Sequence, residues 1–392
     1  CDQSLFGLFR NLSIIDACKG EIFRQGASGL AIDNINKHMA VSQLVEHAFA
    51  VLWNLSKDER RAVYIGQTER GVCIAAAAAY RHRDHERVLR MIMGALHAMI
   101  QQEINQETLL SEIRLMPSCP LVAVDILFQC LEVHARVDHF DTFRSVHMVL
   151  TPLLKTDASK RFLVNRSNSL FHVVTKCFLV GPSLGCRILN TLFDTISEFC
   201  PQEAMQEKIF TSGLLRQLVS LLPLCRSMHL DERRTSDSPL PRLLDILWNV
   251  SDSQISRLRL NEIGVVEVLA SFLKEELLVA SWHIRRPLAG CLCNLAEVEE
   301  IAISIVGSGV VSHLEGSLFG LDDDETRFLT MFFVCNLFLP VANRYAIKHL
   351  GLLQHVSGFA QSVDVHCRMK YLYSDYSPIV RLFTPVCGAL SE

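Results

Sequence analysis

Four short stretches of this chain set an asparagine in the same apolar surroundings: VLWNLS at 51–56, ILWNVS at 246–251, CLCNLA at 291–296 and FVCNLF at 333–338. Asn249, Asn294 and Asn336 stand 45 and 42 residues apart. A recurrence of that length is the mark of stacked units of two or three helices, each of which borrows hydrophobic cover from its neighbours. It excludes most single-core architectures, because 392 residues, 49% of them hydrophobic, are too many for one compact core.

The apolar segments carry the 3.6-residue helical period, and hairpin dipeptides are scarce, so the fold class is all-α. The repeat length predicts a right-handed armadillo- or HEAT-like superhelical solenoid. A second recurring element agrees with it. A glycine opens a short helix in FTSGLLRQLVSLL (210–222), NEIGVVEVLASFL (261–273), IVGSGVVSHLEGSL (305–318) and IKHLGLLQHVSGF (347–359). The expectation is a single armadillo-like repeat domain over residues 1–392, with repeats clearest at 205–390 and degenerate at 57–204. Loops are expected at 81–87, 155–169, 225–241 and 320–325.

Net charge is −4 and the 38 basic residues are dispersed, which argues against a nucleic-acid footprint. No apolar run reaches the roughly 18 residues of a membrane span, and the start of the chain lacks a secretory signal. A cytoplasmic or nuclear location is expected. Cys1 in place of Met suggests a piece of a longer chain. The 14 cysteines sit mostly on apolar faces without CxxC pairs, as reduced core residues do.

No GxSxG, phosphate-binding glycine loop or HExxH is present, so neither a catalytic residue nor a cofactor is expected. His82 and His85 have no further ligand near them, and no metal site is expected. The chemistry lies instead around the asparagines. Trp248 and Asp252 are four apart, Asn294 and Glu297 three apart, so within each helix the two side chains share a face. An asparagine there can pair with the backbone of an extended peptide, or it can satisfy the backbone of the adjoining repeat. The two acids would accept a cation, or else lie at exposed helix ends. Trp53, Asn54 and Glu59 repeat the theme near the start of the chain, but Lys57 stands where the acid would be. Basic-signal receptors with armadillo grooves carry Trp four residues before the Asn. Here those positions are Ala50, Asp245, Gly290 and Phe332.

LLDILWNVSDSQ, then GCLCNLAEVEE one repeat on, then YSDYSPIVRLF at 373–383, resembles the C-terminal armadillo-like domain of the Zyg-eleven and Zer-one family. The match is clearest over about 241–384. The resemblance implies a non-catalytic substrate receptor of a Cullin-2 ubiquitin ligase that binds proteins with a free N-terminal glycine and directs them to degradation. It carries a peptide-binding role to Trp248, Asp252, Asn294, Glu297, Tyr373 and Tyr376, with Pro378 in the aromatic segment; Asn249, next to Trp248, is expected to help Asn294 hold the peptide backbone. Contacts with Cullin-2 and elongin B/C are implied for a region not in this chain, where the family also has leucine-rich repeats. The other reading is an armadillo scaffold for an internal peptide or partner helix.

Overall fold

A computed structural model describes residues 2–111, 122–166, 169–180, 184–231, 237–274, 281–314, 324–352 and 354. These residues are mostly helical, with no strand among them. The chain divides into two compact units, one of Cys1–Phe199 and Lys208–Gln217, the other of Cys200–Glu207 and Leu218–Glu392.

In the first unit three long helices follow one another in contact: α1 (Ser42–Leu55), α2 (Glu86–Met99) and α3 (Phe140–Leu150), with α2 touching both others. The period explains α2. Val88, Leu89, Ile92, Met93, Leu96 and Met99 are buried at steps of three and four, and Glu86 sits where the helix N-terminus favours negative charge. A second row, Ala27–Lys37, Gly71–Arg81, Ala123–Val133 and Leu170–Leu179, repeats the arrangement, each helix packing on the next. The alanine run of Gly71–Arg81, buried almost throughout, lets its neighbours come close.

The second unit holds α4 (Leu240–Val250), α5 (Gln254–Glu262), α6 (Trp282–Leu295) and α7 (Asp324–Phe338); α6 packs on both α4 and α7. Each unit carries the sequence period in its hydrogen bonds. Within the first, Ser28 donates to Glu69 and Arg87 to Glu46, each across 41 residues. Within the second, Asn336 donates to the Cys293 carbonyl across 43 residues and Asn343 to the Ala302 carbonyl across 41.

The glycines that open short helices are where the sequence placed them. Gly213, Gly264, Gly309 and Gly351 have φ of 78, 80, 73 and 68°, a left-handed conformation that side chains resist. Arg70 takes the same conformation, at φ 58°, just before Gly71–Arg81. Two expected loops are in part helical. The 155–169 stretch contains the helix Asp157–Asn165, whose N-cap Thr156 accepts from the Ser159 N–H at 3.2 Å. The helix Leu222–Asp231 runs into the 225–241 stretch.

No single described helix is long and apolar enough to cross a membrane. Seven of the described cysteines, including Cys291 and Cys293, are buried.

Candidate functional site

The residues singled out between 248 and 297 all belong to the second unit. Trp248 and Asn249 occupy the last turn of α4, and Asn294 occupies the last turn of α6. One correction concerns the acids. The α4 helix stops at Val250 and α6 at Leu295, so Asp252 and Glu297 lie in the turns beyond rather than one turn further along a helix face. The reason for the stop is local. Ser253 caps the next helix by accepting from the Ser256 N–H at 3.3 Å, and the chain must leave α4 before α5 begins.

The end of α4 is closed by a residue that the sequence reading passed over. Arg257, largely covered, reaches back from α5 and donates through Nε to the Ser251 carbonyl at 2.8 Å and through Nη2 to the Asp252 carbonyl at 2.7 Å. Its Nη1 pairs with the Glu297 carboxylate at 2.5 Å. Glu297 is thus tied to a cation of its own unit. Asp252 is exposed, and its carboxylate has no partner among the described residues.

The asparagines divide in the same way. Asn294 donates to Ser251 Oγ at 3.1 Å and, more weakly, to the Trp248 carbonyl at 3.5 Å, while Ser251 Oγ donates to that carbonyl at 2.7 Å. This satisfies the end of α4, as a buried carbonyl requires. Asn336 serves the adjoining repeat likewise, and so in the first unit does Asn54, which donates to Ser13 Oγ at 3.0 Å. Asn249 differs: it is exposed, with both ends of its amide unpaired among the described residues. Asn294 keeps its side-chain carbonyl unpaired as well.

Trp248 is half-buried and fixed in place by glycine. A Cβ at Gly290 of α6 would fall onto the indole ring, so only a residue without a side chain lets α6 come this close. In the first unit Trp53 of α1 and Gly94 of α2 make the same pair, with a Cβ at Gly94 meeting the ring at 2.7 Å. The Arg286 guanidinium lies 5.8 Å from the Trp248 ring centroid. Desolvation of the Asp245 carboxyl raises its pKa, with Arg286, Arg242 and His283 pulling the other way. The surroundings of Trp248 therefore contain basic as well as acidic groups. Arg257 could have been found from its repeat partner Arg61, which donates to the Leu55 carbonyl at the end of α1, also six residues back. Arg286 has a repeat partner too, since it stands four residues before Gly290 as Arg90 does before Gly94.

Tyr373, Tyr376 and Pro378 lie outside the described residues. No group of histidine, cysteine or carboxylate residues that could hold a metal occurs among the described residues.

Comparison with known proteins leaves the fold as its one result. No family model matches the chain, and no curated protein does. Among solved structures, the chain is similar to the crystal structure of an engineered protein from the Northeast Structural Genomics Consortium, with a TM-score of 0.54 and 16% identity over 93% of this chain and 92% of that one. At that identity the likeness concerns the path of the chain alone.

Proposed function

We propose that the chain is a non-catalytic peptide receptor built as a right-handed armadillo-like superhelix, and that its second unit reads the free N-terminal glycine of other proteins. One observation carries this reading. The free Asn249 amide and the free Asp252 carboxylate flank the end of the helix that holds Trp248, whose ring is pinned on Gly290.

An α-ammonium, with a pKa of about 7.7 to 8.0, is largely protonated near neutral pH and suits a carboxylate acceptor. Asp252 takes the leading part, with Glu297 adding its charge beyond the bridge to Arg257. Asn249 and the unpaired carbonyl of Asn294 pair with the first peptide groups. Trp248 stands close to the first Cα and leaves no space for a β-carbon. In keeping with the family resemblance, the chain serves as the substrate-reading part of a Cullin-2 ubiquitin ligase in the cytoplasm or nucleus. Docking to Cullin-2 and elongin B/C falls to a region outside it.

Calorimetry with a Gly-initiated peptide tests the reading. Binding of micromolar order, about −8 kcal/mol, is expected, with a loss of more than tenfold on N-terminal acetylation and a comparable loss in Asp252→Ala. Gly→Ser at the first peptide position should weaken binding and Gly→Leu abolish it. Unchanged affinity in Asp252→Ala, or equal affinity for free and acetylated peptides, rejects it. The Arg257–Glu297 pair favours a second reading, a scaffold for an internal peptide or helix, because that acid already has a cation. Equal binding of acetylated peptides is the result this second reading requires.

A further inference from the structure

The first unit contains a cavity of 440 Å³ where α1, α2 and α3 follow one another. Trp53, Arg90, His97, Asp141, Arg144 and Met148 are among the residues that line it. Two arginines face one acid there, and Asp141 pairs at long range with Arg90 alone among the described residues.

The Arg90 Nε–H is buried with no acceptor among the described residues, and Arg90 Nη1 stands 3.7 Å from the Asp141 carboxylate, too far for a hydrogen bond. Arg144 is exposed and makes no ion pair among the described residues. The rest of the wall is fixed or apolar. Trp53 is held against Gly94, and the His97 ring is oriented by a 2.8 Å hydrogen bond between Nδ1 and the Met148 carbonyl. The Met148 side chain is 40% exposed. An orphaned donor beside a free guanidinium, next to an aromatic and a flexible thioether, fits an anionic group attached to an apolar one.

We propose that this cavity is a second peptide site, which takes an internal acidic–apolar pair of a partner protein. The carboxylate of a Glu or Asp lies across Arg90 and Arg144, and the following apolar side chain rests against Trp53 and Met148. The site needs no free N-terminus, so it stands or falls independently of the reading around Trp248.

The test uses the whole chain and acetylated, amidated nine-residue peptides with Glu-Leu, Gln-Leu or phosphoserine-Leu at the centre, measured by calorimetry and by the Trp fluorescence that Trp53 contributes. The Glu-Leu peptide should bind at least tenfold more tightly than Gln-Leu, weaken as salt is raised, and lose at least tenfold in Arg144→Glu and in Arg144→Gln. It should keep its affinity in Asp252→Ala. Both Arg144 variants should melt like the parent, since the side chain is exposed. Equal binding of Glu-Leu and Gln-Leu, no change in the Arg144 variants, or no binding up to about 1 mM overturns the proposal. Binding of the phosphoserine peptide without the Glu peptide overturns it too, since the site would then read phosphate.

Discussion

Gly290 shows most directly how a single residue position constrains this molecule. Its hydrogen is all that separates the α6 backbone from the Trp248 indole, so a methyl group there must push either the ring or the helix. Gly290→Ala should cost about 1–3 kcal/mol, the usual range for overpacking, and lower the melting temperature by several degrees. It should also displace Trp248, visible as a shift of Trp emission. Gly94→Ala should do the same through Trp53 in the first unit. A pair of alanine variants as stable as the parent would mean that the rings are not pinned. Neither glycine could be read as a packing partner from sequence alone. Gly290 attracted notice only because receptors for basic signals have Trp in that place, and its partner lies 42 residues earlier in the chain.

Between elements, helix ends are closed by side chains that return from the following helix. Asn105 donates to the Met99 carbonyl at 2.8 Å and the Ala62 carbonyl at 3.0 Å; Asn343 donates to Leu337 at 3.0 Å and Ala302 at 3.1 Å. Both asparagines are buried, and each joins a helix end six residues back to a neighbour one repeat earlier. Asn105→Ala and Asn343→Ala each remove two buried hydrogen bonds and should cost about 1–3 kcal/mol, at 0.5–1.5 for each bond, in thermal or chemical unfolding. The glycine turns give a control in which one substitution has two signs. Gly264→Ala places an alanine at φ 80° where space is ample, so its cost of about 1–2 kcal/mol is purely conformational. Gly20→Ala, inside the helix Asp16–Arg24 with nothing near its Cβ, should instead stabilise by about 0.5–1 kcal/mol. If both variants shift the melting temperature in the same direction, backbone conformation is not what sets Gly264. These turns were legible because a left-handed position needs glycine. Arg70 was not, since an arginine at φ 58° leaves no trace in composition.

Taken whole, the chain shows which kinds of information its sequence holds. Helical periodicity, repeat length and glycine turns are local and repeated, so the all-α architecture could be read ahead of the coordinates. Partner choice is not local: that Asn294 would spend its amide on Ser251, and Glu297 its charge on Arg257, depends on turns that end each helix sooner than the apolar pattern alone suggests. The histidines are a further case. Burial lowers the pKa of His82, His134 and His229, and lowers His147 to about 4 from 6.5, with Asp194 opposing the shift. Burial is what keeps these rings neutral in the folded chain; the 2.7 Å hydrogen bonds that His82 and His134 donate to the Met39 and Arg83 carbonyls oppose the shift, and His147 bonds to Thr195. An unfolded chain protonates them as pH falls below 6.5, and so binds more protons than the folded one. Their contribution is therefore intact above pH 6.5 and for His147 is lost progressively down to about pH 4. At 1.36 kcal/mol per pKa unit, His147 alone accounts for a loss on the order of 3 kcal/mol. Melting temperature measured from pH 7 to pH 4.5 should fall steadily. In His147→Gln, which keeps a hydrogen-bonding group for Thr195 but cannot titrate, the fall should be visibly shallower. An identical slope in parent and variant would show that His147 is protonated as readily in the folded chain as in the unfolded one, and the buried ring would then have no part in acid sensitivity.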